Sequence, residues 1–116
     1  MKQVSLNTLP NQGVSHNTAI RKQVMLQTGD LPYLSQFAQA CFEPGQVATA
    51  HAHADMHEVF FVQAGQGSML VDGVAHVLEP GVCIAVEPGE IHEVRNTGDD
   101  LLVLTYFGII QAGEES

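Results

Sequence analysis

Cations are scarce in this sequence. Four Lys and Arg stand against thirteen Asp and Glu in 116 residues, for a formal net charge of -9. A field of that sign repels phosphate-rich partners, so nucleic acid and anionic membrane surfaces are not expected partners. Phosphorylated or nucleotide-linked substrates, which usually need Arg or Lys clamps, are disfavoured too. Arg95 is the one candidate anion contact, being close to His92. A divalent cation, by contrast, is welcome.

Cysteine occurs only twice. Cys41 and Cys83 each sit alone inside an apolar run and read as buried free thiols, not as a disulfide. No stretch reaches the roughly 20 apolar residues of a membrane span. The opening Met1-Lys-Gln-Val-Ser-Leu-Asn-Thr-Leu-Pro10 has no continuous apolar segment of an export signal, so a cytoplasmic location is expected. Ser-His-Asp spacing, a phosphate-cradling Gly loop and a zinc-finger Cys set are also missing. No run carries a helical period of useful length.

What is present is strand after strand. Apolar or alternating runs fall at about 19–27, 34–43, 46–53, 58–64, 67–71, 74–78, 82–86, 91–95 and 101–109. Turn residues divide them, among them Thr28-Gly29-Asp30, Glu43-Pro44-Gly45, Glu79-Pro80-Gly81 and Glu87-Pro88-Gly89. Asp72-Gly73 is the clearest hairpin turn, because a two-residue connection wants positive φ and this pair tolerates it. Many short strands with frequent turns predict a single all-β domain, a sandwich or barrel of jelly-roll type. The barrel is expected over about 19–110, preceded by a polar arm of about 18 residues that can pair with a neighbouring subunit's sheet edge. The last four residues are polar and read as a frayed end.

Four metal-ligand types are spaced as such a barrel requires. His51 and His53 lie two apart on a strand and so share a face. Glu58 follows after a short connection and shares a face with Phe60 and Val62, where a buried carboxylate needs a cation or donor partner. His92 arrives from a separate strand just after Pro88-Gly89. Three imidazoles and one carboxylate suit a divalent first-row metal, leaving positions for water or substrate. Taken singly, each His reads more simply as a solvated loop residue. Together their spacings favour the site.

Both segments resemble the paired motifs of the cupin superfamily. Gly45, His51, His53, Glu58 and Gly65 meet every element of the first family pattern, and Gly81, Gly89, His92 and Asn96 fall in register with the second. Glu87 stands where the family has its first Pro, and fifteen residues separate the motifs, a spacing typical of small microbial cupins. The resemblance implies a jelly-roll barrel, also called a double-stranded β-helix, and most often a homodimer. It also implies one divalent metal (Fe, Mn, Ni or Zn) on His51, His53, Glu58 and His92. His57 competes with Glu58 for the fourth place, since some small cupins use four histidines. Counting back from Gly65 favours Glu58, and alternation turns His57 outward; if His57 faced inward it could act as a base.

The resulting expectation is a metal-dependent enzyme for a small, mostly uncharged organic molecule, dioxygenase-type chemistry first. Isomerase, cyclase or lyase chemistry comes second. A non-catalytic metal or small-molecule binding module is the alternative class. His16 and His76 read as surface residues, while Phe60, Phe61, Tyr106 and Phe107 read as core or dimer contacts. Asn96 is read as bracing the turn after His92, and Glu43, Glu90 and Glu93 as solvated.

Overall fold

A computed structural model describes residues 1–111. Ten strands follow one short 3-10 turn at Leu6–Thr8. In chain order they are β1 (Gln12–Val14), β2 (Asn17–Gln27), β3 (Leu34–Phe42), β4 (Val47–His51), β5 (Met56–Ala64), β6 (Gly67–Val71), β7 (Val74–Leu78), β8 (Cys83–Val86), β9 (His92–Asn96) and β10 (Leu102–Ile110). Two antiparallel sheets result, one in the order β1-β2-β3-β10-β5-β8 and the other β4-β9-β6-β7. This is the jelly-roll architecture expected from the strand and turn pattern. Among the described residues, no helix is long and apolar enough to cross a membrane. The four terminal residues read as a frayed end lie outside the described residues.

Period-two alternation decides which side chains meet between the sheets. On β5, Glu58, Phe60 and Val62 are buried; on β10, Leu102, Leu104 and Tyr106 are. Met69, Leu78, Val62 and Leu102 fill the interior with large apolar groups, each no more than 1% exposed. Their burial supplies the main drive for closing the two sheets on each other. Among the other inward positions, Ala40 and Ala48 carry one-carbon side chains that leave space. That space is the cavity.

The turns behave as their residues dictate. Asp72 and Gly73 take φ of 48° and 84°, both positive, and close the β6–β7 hairpin as a two-residue primed turn. Gly65, at φ 89°, leaves no room for a side chain: a Cβ would lie 2.2 Å from the Leu101 carbonyl oxygen.

Three expectations change. The first residues fold back on their own chain, since β1 pairs with β2 at the edge of its own sheet, where the arm was expected to pair with a neighbouring subunit's edge. The strand expected to run to His53 ends at His51. Cys83 is exposed and only Cys41 is half-buried, because both lie on the outward phase of the six-stranded sheet. Both thiols are free, as expected.

Candidate metal centre

His51 and His92 are cross-strand partners on β4 and β9, with ring centroids 4.3 Å apart. Glu58 reaches the same point from β5 in the opposite sheet. His53 lies just beyond β4, where alternation no longer applies. Its loop is fixed instead by a backbone bond, the Gly89 N–H donating to the His53 carbonyl at 2.8 Å. The Glu87–Glu90 turn that carries Gly89 is well formed without the family's first Pro. Glu90 N donates to the Glu87 carbonyl, and the Glu90 carboxylate accepts from Glu87 N at 2.7 Å.

One donor atom from each of His51, His53, Glu58 and His92 lies within 4.8 Å of the others, so this group could hold a metal ion. Glu58 Oε1 is 3.0 Å from His92 Nε2 and 3.3 Å from His53 Nε2. The His92 Nδ1 lies 3.1 Å from the Glu90 carbonyl, and the His51 Nδ1 lies 2.9 Å from the Thr49 carbonyl. A ring that donates through Nδ1 presents a bare lone pair at Nε2. At His92 that lone pair would face a carboxylate oxygen, two acceptors in contact, unless a positive charge stands between them. A proton or a divalent cation satisfies the arrangement, so the residues present fit a metal.

Electrostatics agree. Burial pulls His92 toward the neutral ring, but its bond to Glu58, the Glu90 carbonyl and the charges of both carboxylates together raise its pKa above 6.5. His51 is shifted the other way, by burial first and by its His92 and His16 neighbours, against the Thr49 carbonyl and Glu58. It therefore stays neutral and ready to ligate.

The group lines a cavity of about 500 Å³ between the sheets. Phe60 and Tyr106, stacked at 5.5 Å, form an apolar wall. The Tyr106 phenol is pushed above its ordinary pKa, chiefly by burial and then by Glu58, so it keeps its proton.

Sequence reading placed most residues well and some not. His57 lies on β5 opposite Ile109 and is not among the cavity-lining residues, so the base role conceived for it loses its geometric footing. Arg95, the expected anion contact, is exposed and paired with Glu93 away from the cavity. His76 is exposed. Glu90 and Glu93 are partly covered, Glu90 used in its turn and Glu93 paired with Arg95, rather than freely solvated. His16 is exposed as expected, yet it also lines the cavity and stacks on His51 at 3.7 Å. Nothing in its own spacing announces this; only the β1–β2 turn delivers it. Lys22 was overlooked altogether, although its phase with the apolar Ile20 and Val24 marks it as inward.

The sequence matches the cupin domain family over residues 38–108, and the chain belongs to that family. Solved structures with the same fold include a predicted oxalate decarboxylase from Thermotoga maritima. It is 19% identical, with 94% of this chain and 99% of that chain covered at a TM-score of 0.87. The cupin domain of Schizosaccharomyces pombe Cnp3 is 13% identical, with 94% and 74% covered at 0.80. KdgF from a Halomonas species is 21% identical, with 92% of each chain covered at 0.75.

Proposed function

We propose that this cupin is a metal-dependent enzyme acting on a small organic molecule inside the barrel, with dioxygenase-type oxidation as its reaction class. The observation that carries this reading is the convergence of three imidazoles and one carboxylate from two sheets and a loop at the wall of a ligand-sized cavity. His51, His53, Glu58 and His92 would hold the ion. Fe(II) or Mn(II) on such a donor set supplies oxygen chemistry, whereas Ni(II) or Zn(II) would serve as a Lewis acid.

The chain's own residues do the rest. The carbonyls of Thr49 and Glu90 fix the tautomers and ring planes of His51 and His92. The Phe60–Tyr106 stack keeps one side of the cavity apolar and limits water beside the cluster. Tyr106, held protonated, can donate its O–H to a ligand oxygen. His16 covers the outer face of His51 and narrows the approach.

The test is oxygen uptake by protein loaded with Fe(II) or Mn(II), screened against catechol-like and β-diketone compounds. Consumption of oxygen matched to substrate loss is the expected result. Turnover that proceeds equally well without oxygen rejects the oxygenase class. Bound metal without any turnover leaves the chain a binding module.

A further inference from the structure

We propose that Lys22 is a substrate-anchoring residue and that the cavity's ligand is a small organic monocarboxylate, its carboxylate paired with the Lys22 ammonium. The inference builds on the metal-site reading above and adds the substrate class.

Lys22 lies on β2 between Ile20 and Val24 in the inward phase, with Ala40 as its cross-strand partner on β3. A strand normally spends that phase on apolar side chains, and a lysine there must justify its desolvation. Here Lys22 is half-buried and lines the same cavity as the histidine cluster. Its ammonium donates to the neutral Gln36 Oε1 at 3.2 Å and forms no ion pair among the described residues. Arg21 next to it, by contrast, points outward and pairs with Glu43.

Charge balance in the cavity points the same way. Lys22 is the one Lys or Arg among the lining residues, and Glu58 the one carboxylate. Glu58 is already engaged with His53 and His92. With a divalent ion held by three neutral rings and Glu58, the cluster and Lys22 leave the cavity net positive inside a strongly acidic molecule. One ligand carboxylate would reduce that excess, and the half-buried ammonium would gain the counter-ion it lacks. Burial lowers the Lys22 pKa, against the opposing charge of Glu58. Around it, Gln12, Gln27, Gln36, Thr28 and Ser35 offer neutral hydrogen-bonding groups suited to one charge, with no second cation for a dianionic phosphate.

Titration of metal-loaded protein with benzoate, its uncharged analogue benzamide, and inorganic phosphate tests this directly, read by calorimetry. Benzoate should bind at least about tenfold more tightly than benzamide, the scale of one charge-assisted hydrogen bond. Lys22→Met should abolish that preference while keeping full metal content, and Lys22→Arg should restore part of it. Equal binding of benzoate and benzamide, or an undiminished benzoate preference in Lys22→Met, overturns the proposal. Phosphate binding more tightly than benzoate overturns the carboxylate assignment. The same titration on His92→Ala, with little metal, separates the two readings. A Lys22-dependent benzoate preference in wild-type protein that binds no metal would sink the metal reading and leave the anchor standing. Full metal binding without the preference would do the reverse.

Discussion

Glu58 and His92 meet as two acceptors that need a positive charge between them, and from that contact a pH dependence follows. His92 holds a proton more firmly than an ordinary imidazole of pKa 6.5, because Glu58 and the Glu90 carbonyl outweigh its burial. A metal must displace that proton. Affinity for Mn(II) or Zn(II) should therefore fall as pH drops through the raised His92 value, with about one proton released per ion bound below it. In the metal-free protein the sign is opposite. The protonated pair favours the fold, a contribution complete below 6.5 and lost as pH rises through the raised His92 value. Calorimetry in two buffers of different ionisation heat counts the protons, and no release at pH 6.5, where His92 starts protonated, would contradict the pairing. Substitution asks the same question from the ligand side. His51→Ala, His53→Ala and His92→Ala should each remove most of the metal seen by elemental analysis, whereas His57→Ala should retain it. Stoichiometric metal in any two of the first three, or loss in His57→Ala with retention in Glu58→Gln, would refute the assigned set.

Elements place these residues, and one buried amide ties three elements together. Asn96, at the end of β9, donates to the Phe42 carbonyl at 2.9 Å and to the Asp100 carbonyl at 2.8 Å. Its Oδ1 accepts from Gly98 N at 2.8 Å. It does brace the turn after His92, as its place in the second motif suggested, and it also pins the end of β3. Asn96→Ala would leave an N–H and two carbonyls without these partners, at a cost of about 3 kcal/mol, read as a lower midpoint in urea with an unchanged slope. A loss under about 0.5 kcal/mol would show that water replaces the amide at no cost. The sequence reveals such elements where local chemistry decides them. Nine strands from 17 to 110 stand within about two residues of their expected bounds, because Gly, Pro and Asp mark each break and alternation marks each face. β1 escapes that logic. Three residues carry no alternation, and the preceding turn is held from a distance, by Gln23 donating to the carbonyls of Leu6 and Leu9. Lys22 precedes any irregularity and shares the phase of Ile20 and Val24, whereas Gln27, which also lines the cavity, is hidden differently. A register shift between Val24 and Leu26 changes the phase of β2, so no single alternation reads the whole strand. His53 owes its position to a hydrogen bond from Gly89, 36 residues away, which no local pattern encodes.

At the scale of the whole molecule, charge and apolar surface are unevenly shared. The outward phase of β5 and β10 carries His57, Val59, Phe61, Gln63, Val103, Thr105, Phe107 and Ile109, with neither a carboxylate nor a Lys or Arg among them. Phe61 is 44% exposed and Ile109 45%, and Phe37 from β3 meets Phe107 edge-to-face at 6.2 Å. In a chain of net charge -9, two copies repel wherever their acidic surfaces meet. On this face that repulsion is low, and removing its apolar area from water is a gain. We propose a second copy of the chain as the occupant of this face. The contact would be isologous, Phe61 of one copy meeting the same neighbourhood of the other across a two-fold axis. The dimer would then pack face to face rather than through the N-terminal arm, which is committed to its own β2. Sedimentation velocity should show a dimer at micromolar concentration. Phe61→Lys places an uncompensated ammonium in the contact of both copies at once, and should give a monomer that keeps its metal, because Phe61 faces away from the cavity. A wild-type monomer at that concentration, or a Phe61→Lys dimer of undiminished affinity, would move the interface elsewhere.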